Sequence, residues 1–275
     1  MAPVPQVSTR NARFQQWQAL LGNRAKRHRS GAFLVQGVRP ITMALAHGWP
    51  VRELLYRADG RLSRWARQTL DAVPAARFAV TDELLAELGG KSDPAPELLA
   101  VVEIPEDDLS RLPVSPQLLV LGFDRPTSPG NLGTLIRSAD AFGASGVIVT
   151  GHAADPYDPK TVRASTGSLF ALPAVRVPSH RTVLDWVEKV RAGGVPLQLV
   201  GADEQGEREV ADYDFTGPTL LLIGNETTGL SSAWRDACDH TVRVPMAGAA
   251  SSLNAATAAS IMLYESFRQR TAGSA

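Results

Sequence analysis

Six short apolar runs, each ended by glycine, proline or a polar loop, limit what most of this chain can fold into. They occupy residues 118–123, 146–150, 174–177, 197–200, 219–223 and 241–244. Runs of four to six residues are too short for buried helices, and most lack the polar alternation of a half-exposed strand. They predict the strands of a parallel sheet covered on both faces, as in an α/β fold. Helical segments fall between them, and a final helix is predicted from about 253 to 268.

The preceding hundred residues alternate in the same way on a smaller scale. Strands are predicted at 33–38, 51–56, 78–80 and 98–104, and helices at 40–46, 62–72 and 82–88, the last capped by Thr81. Residues 11–21 place Phe14, Trp17 and Leu21 on one helical face. Residues 105–116 are polar and acidic and carry three prolines. The expected organisation is therefore a small α/β domain over 1–107, a linker over 108–116 and a larger α/β domain over 117–275.

Formal net charge is zero, which on its face argues against a nucleic-acid partner. The sum conceals an asymmetry. Residues 1–52 hold eight Lys and Arg and no Asp or Glu, whereas residues 53–108 hold twelve acids against six bases. A basic segment in a neutral protein is the footprint of a phosphate-tracking surface. The run Asn23–Gly31 supplies Arg24, Lys26, Arg27 and Arg29, and Arg39 follows; these are the candidate RNA-binding residues. Phe14, Trp17 and Trp49 are aromatics expected mostly in the core. The single cysteine, Cys238, excludes an internal disulfide and any multi-cysteine metal site, and no metal is expected. No apolar run approaches the roughly 20 residues of a membrane span, and residues 1–8 lack a signal-peptide stretch, so the expected location is the cytoplasm.

Three stretches carry the chemistry. In Phe123–Asp140 a strand ends in a Pro/Gly-rich loop, Asn131 is placed to cap a helix, and Arg137 lies further along it. In Leu220–Leu230 a buried strand breaks at Gly224 and presents Glu226 on a loop bounded by glycines. In Val244–Asn254 a Pro-Met-Ala-Gly turn leads through Ser252, Leu253 and Asn254 into an alanine-rich helix. Each alone has an ordinary explanation as a cap, a solvated helix residue or a strand terminator. The dinucleotide fingerprint Gly-x-Gly-x-x-Gly is missing from these strand ends, as is a phosphate loop of the Gly-Lys-Ser kind, so neither common nucleotide-binding reading holds.

In this order and spacing the three stretches resemble the SPOUT superfamily, specifically its TrmH/SpoU-type RNA ribose methyltransferases. Asn131, Arg137, Gly224-Asn225-Glu226, Gly229, Pro245-Met246, Gly248 and Ser252-Leu253-Asn254 carry the likeness. It spans residues 118–268, and the first domain is similar to the family's L30e-like RNA-binding extension. Among these enzymes the chain looks closest to the avilamycin-resistance type, which act on large-subunit ribosomal RNA.

The resemblance implies a parallel sheet with a deep trefoil knot, a homodimer in which Ile261, Leu263 and Phe267 of the last helix supply an apolar interface, and S-adenosyl-L-methionine as methyl donor. Val200, Gly201, Ile223, Gly224, Asn225, Val244, Met246, Ser252 and Leu253 would hold the cofactor. Arg137, Asn131, Glu226, Ser252 and Asn254 would form the catalytic set. The implied reaction is in-line attack of a ribose 2′-hydroxyl on the sulfonium methyl. A guanidinium stays charged, so Arg137 suits a phosphate clamp and alkoxide stabiliser better than the general base usually proposed for the family. The implied substrate is 23S ribosomal RNA, with a link to resistance against a ribosome-targeting antibiotic. A transfer RNA ribose methyltransferase and a non-catalytic ribosomal RNA-binding module are the other readings.

Overall fold

The computed structural model describes residues 4–90 and 95–272. The elements run β1 (Gln6–Val7), α1 (Ala12–Gly22), α2 (Arg24–Ser30), β2 (Ala32–Gln36), α3 (Val38–Ala46), β3 (Val51–Arg57), α4 (Arg64–Ala72), β4 (Ala76–Val80), α5 (Asp82–Leu88) and β5 (Leu98–Glu103). After a 3-10 turn at Leu109–Arg111 come β6 (Leu119–Asp124), α6 (Pro129–Ala141), β7 (Gly146–Thr150), α7 (Pro159–Ser165), α8 (Ser168–Ala171) and β8 (Ala174–Val177). Then follow α9 (His180–Ala192), β9 (Gln198–Ala202), β10 (Arg208–Glu209), β11 (Thr219–Ile223), α10 (Ser232–Ala237), β12 (His240–Arg243) and α11 (Ala255–Ala272).

The described residues form two units. One comprises residues up to Pro105 together with Tyr157–Ala171; the other comprises Glu106–Pro156 and the residues from Leu172 onward. In the first unit, β1-β4-β3-β5-β2 form a mixed sheet in which β5 runs antiparallel to both β2 and β3. Phe14, Trp17 and Leu20 of α1 pack with Leu34, Leu55, Leu85 and Leu99. Leu20 is the more deeply buried residue of the next turn, and the predicted Leu21 packs partly buried against the same cluster.

The basic run is a helix. Asn23 caps α2 by accepting from the Lys26 N–H, and Gly31 ends it with φ +60°. The segment Tyr157–Ala171 completes this unit from far along the chain. Phe170 meets Trp49 edge-on at 5.1 Å and stacks on Phe33 at 6.2 Å, and the Trp49 indole N–H donates to the Phe170 carbonyl at 3.0 Å. A contiguous first domain was expected, and the structure adds these two helices to it.

The second unit is a seven-stranded sheet ordered β10-β12-β9-β11-β6-β7-β8, parallel at every pairing. All five residues of β7 and of β11 are buried, which is why their sequences read as unbroken apolar runs. The predicted linker is not free chain: Leu112 is buried in this unit's core with Leu118, Val120 and Val187, and Asp107 accepts from the Arg176 backbone N–H at 3.0 Å. Parallel neighbours put the carboxyl ends of β6, β9, β11 and β12 along one edge, where ligands of open α/β sheets bind.

Candidate active site

The loop after β6 is fixed first. Asp124 is 3% exposed and accepts from the Thr150 hydroxyl at 3.2 Å and from the Ser231 N–H at 3.1 Å. It also pairs with Arg125 at 3.0 Å. Arg125 has φ +49°, an unusual conformation for a non-glycine residue. Its carbonyl accepts from the Asn225 side chain at 2.7 Å, which holds the turn in place.

Ser128 caps α6, accepting from the Asn131 N–H, and Pro129 takes the first helical position. Asn131 is therefore not the cap that the sequence predicted. A hydroxyl three residues earlier, directly before a proline, does that work and frees the amide side chain. Asn131 Nδ2 donates to Glu226 Oε1 at 3.2 Å, and its Oδ1 accepts from Asn254 Nδ2 at 3.1 Å. One hydrogen-bonded chain, Glu226–Asn131–Asn254, joins all three motifs.

Glu226 is the hub. Besides Asn131, its carboxylate accepts from the Thr127 N–H at 2.9 Å, the Thr127 hydroxyl at 3.0 Å and the Ser128 N–H at 3.0 Å. Partial burial pushes its pKa upward, but the bonds from Thr127, its own backbone N–H, Ser128 and Asn131 outweigh that and leave it below the ordinary glutamate value. An ionised acceptor already serving four donors orients the loop; it is not poised to take a proton. Asn254 does double duty, since its Oδ1 also accepts from the Ala256 and Thr257 N–H groups at the start of α11.

Beside this network lies a cavity of about 440 Å³, within the range of small-molecule sites. Ile223, Val244, Met246, Leu253, Ala258 and Met262 give it apolar walls, and Asp203, Glu204, Glu226, Ser252 and Arg235 line its polar side. Gly224 is required where the β11 loop doubles back, because a Cβ there would drive into the backbone of Gly229 and Leu230. Asn225 and Gly229 exchange backbone hydrogen bonds at 3.0 Å to close that loop. The pairing of apolar walls with a polar side fits a nucleoside-sized cofactor.

Residues 118–264 match the SpoU rRNA methylase family, and residues 11–100 match the SpoU L30e-like domain. The chain belongs to the SpoU rRNA methylase family. It is 64% identical over 267 residues, 97% of this chain and 93% of the relative, to the 23S rRNA (uridine(2479)-2′-O)-methyltransferase of Streptomyces viridochromogenes. Its fold superposes with a TM-score of 0.93 on the SpoU methyltransferase AviRb of that organism in complex with AdoMet, at 65% identity, covering 95% of this chain and 99% of that one. An AdoMet-bound rRNA methyltransferase from Sinorhizobium meliloti matches at TM-score 0.83 and 31% identity, covering 96% of this chain and 98% of that one.

Within this SpoU methylase, seven of the nine residues expected to hold a cofactor line the cavity: Ile223, Gly224, Asn225, Val244, Met246, Ser252 and Leu253. Val200 and Gly201 do not. The strand runs on to Ala202, so both stay inside the sheet, where Gly201 lies against Leu230 and Cys238. The wall is instead Ala202, Asp203, Glu204 and Gln205. Sequence reasoning missed these, along with Arg235 and Asp124; the acid-rich turn right after a strand was the signal available. Burial pushes the Cys238 thiol up to about 12, with Asp239 and Asp203 adding to the shift, so it stays protonated.

Arg137 lies about two turns into α6, is exposed, and makes no hydrogen bond or ion pair among the described residues. It does not line the cavity. Of the basic residues, Lys26 and Arg29 are exposed. Arg39 is exposed too and donates from Nε to the Thr166 carbonyl. Arg24 is partly buried. Arg27 corrects the expectation. Its side chain is 2% exposed, donates to the Leu20 and Leu21 carbonyls at 2.9 and 3.1 Å, and pairs with Asp158 at 3.6 Å. It braces α1 against α2 and is not available to a phosphate.

Proposed function

We propose that this enzyme transfers a methyl group from S-adenosyl-L-methionine to a ribose 2′-hydroxyl of 23S ribosomal RNA. The observation that carries this reading is the chain Glu226–Asn131–Asn254, which locks the RNA-side helix α6 to the two loops lining the cavity. The cavity residues fit the cofactor: the Ile223, Val244 and Leu253 walls suit an adenine, and the polar side suits the ribose and amino-acid portions. When bound, that group supplies an electrophilic methyl.

The chain's own residues do the rest. Glu226 and Asn131 orient the start of α6, and through it Arg137, whose unpartnered guanidinium engages the RNA phosphate and steadies the oxygen as its proton leaves. Ser252 presents a hydroxyl at the cavity wall. Positioning of this kind lowers the barrier by holding a weak nucleophile in attack geometry. The 64% identical relative, named for uridine 2′-O methylation of 23S rRNA, favours ribosomal over transfer RNA, and the intact network favours an enzyme over a binding module.

The finer expectations belong to the same reading. A homodimer is supported by an apolar face on α11, where Ile261, Tyr264 and Phe267 are 37%, 54% and 42% exposed. Phe142 packs against the last two at 5.9 and 6.1 Å. Leu263, expected in that face, is fully buried in the chain's own core instead. A trefoil knot is supported by the return of the chain from β12, beyond β9, to pack α11 beside α6, where Ser138 and Ser260 bond at 2.7 Å. We place the protein in the cytoplasm with its ribosomal substrate, and assign it the resistance role of the avilamycin-resistance type.

Incubation with labelled S-adenosylmethionine and 23S rRNA, followed by nucleotide mapping, tests the activity. A 2′-O-methylated nucleotide is expected; label on a base, or on transfer RNA alone, would refute it. Light scattering at micromolar concentration reads the dimer, and drug susceptibility of a host expressing the chain reads the resistance role.

A further inference from the structure

Several arginines of the first unit are held by carboxylates. Arg10 pairs with Glu83 and Glu87, Arg13 with Glu53, Arg52 with Glu103 and Arg57 with Asp82, at 2.8–3.5 Å. Arg27 is consumed inside the fold, as described. Arg61, Arg64 and Arg67 behave differently. All three are exposed, and among the described residues none makes an ion pair or a side-chain hydrogen bond. The carboxylates beside them do not engage them: Asp59 and Asp71, nearest in sequence, are exposed and make no ion pair with them, and Glu97, which reaches the Ser63 cap, is bonded to the Ser63 N–H and hydroxyl at 2.8 and 2.7 Å.

These charges do nothing for the helix that carries them. Arg64 and Arg67 sit in the first turn or so of α4, where a positive charge opposes the helix dipole by about 0.3–1 kcal/mol each. The helix is anchored by other means. Ser63 caps it, and the Trp65 indole N–H donates to the Thr42 hydroxyl of α3 at 3.1 Å. Thr42 shares a face of α3 with Val38, which is 54% exposed, and with Arg39. Arg39 has only its Nε committed, to the Thr166 carbonyl.

We propose that Arg61, just ahead of α4, and Arg64 and Arg67 of α4, together with Arg39 of the neighbouring α3, form a second RNA-phosphate contact surface, distinct from the basic helix α2. The inference rests on the reading of the substrate as RNA and adds where that RNA runs. Guanidinium forks left free of carboxylates match phosphate oxygens in geometry and charge. The surface escaped the sequence because it lies in a stretch that is acidic on average, with twelve acids to six bases over residues 53–108. Five of those acids are already the partners of Arg10, Arg13, Arg52 and Arg57.

The test is the triple variant R61A/R64A/R67A, with R61K/R64K/R67K as the charge-preserving control. Binding of transcribed 23S rRNA is measured by filter retention across about 50–300 mM KCl. Each phosphate contact contributes roughly 0.7–0.9 to the slope of log affinity on log salt, so the alanine variant should flatten it by about two units. KM for rRNA should rise at unchanged kcat, S-adenosylmethionine affinity should match the parent, the melting temperature should equal or exceed it because two charges opposing the helix dipole are gone, and the lysine control should keep the slope. An alanine variant with the parent's slope and KM overturns the proposal. The outcomes separate from those of the function itself: a parent that binds rRNA without methylating it refutes the activity, and the salt slope still decides the surface.

Discussion

The loop cluster around Glu226 and the basic helix α2 look equally functional in the sequence, yet the fold treats them in opposite ways. Around Glu226, function comes from commitment: four donors converge on one carboxylate, and each side chain has a fixed partner. On α2, commitment takes a residue out of function. Arg27 has spent its guanidinium on two carbonyls and Asp158, while exposed Lys26 and Arg29 beside it remain outward. For a positioning group, satisfied hydrogen bonds mark the role. For a phosphate-binding cation, they remove it.

The sharpest way to break that contrast is Arg137→Ala. Arg137 is an uncommitted cation beside the committed network, so its loss should leave the network and the cavity intact. Methyl transfer should fall by at least about 10²-fold, the scale seen when one charge-stabilising donor is removed. S-adenosylmethionine affinity by calorimetry should stay within a few-fold. Equal loss of cofactor binding would mean that Arg137 belongs to the committed set after all.

Arg27→Ala probes the other side. It strips donors from the Leu20 and Leu21 carbonyls and a partner from Asp158, a deletion that should cost about 2–4 kcal/mol of stability. A clear drop in melting temperature is expected, with Lys26→Ala and Arg29→Ala near the parent. Should all three melt alike, the distinction between spent and unspent cations on α2 is wrong.

The smallest effect is the pH dependence of Glu226. Its folded pKa is lowered, so its ionised contacts add stability that is present above the unfolded carboxylate value and lost as pH falls through the lower folded value. Comparing melting curves of the parent and Glu226→Gln between about pH 7 and 3, the gap of a few degrees at neutral pH should close in acid. A gap that persists at the acid end would mean that shape, not charge, does the holding.

How far these roles were legible depends on how local their causes are. The all-parallel sheet was readable because buried strands are apolar without interruption, and the second and third motifs because a glycine must stand where a backbone doubles back. Asn131 was found but given the wrong job, since nothing in the spacing says that Ser128 caps α6 instead. The resemblance put Val200 and Gly201 in the expected binding site, but the strand runs two residues past its predicted end, which keeps both in the sheet and brings Ala202–Gln205 to the cavity. Arg27 could not be told from Arg29 at all, because one of its partners, Asp158, lies far along the chain.

The helix pair at Tyr157–Ala171 has a consequence for how the molecule is made. Domains generally fold as units in the order they leave the ribosome. Here the first unit cannot finish in its turn, because the ring that stacks on Phe33 and meets Trp49 is Phe170, 121 residues after that tryptophan. Until residue 171 has been synthesised, the emerging first unit keeps an open aromatic seat, and β6, α6 and β7 are already outside waiting for β8. The first unit therefore closes only after the second has begun, from a nascent chain that carries both unfinished.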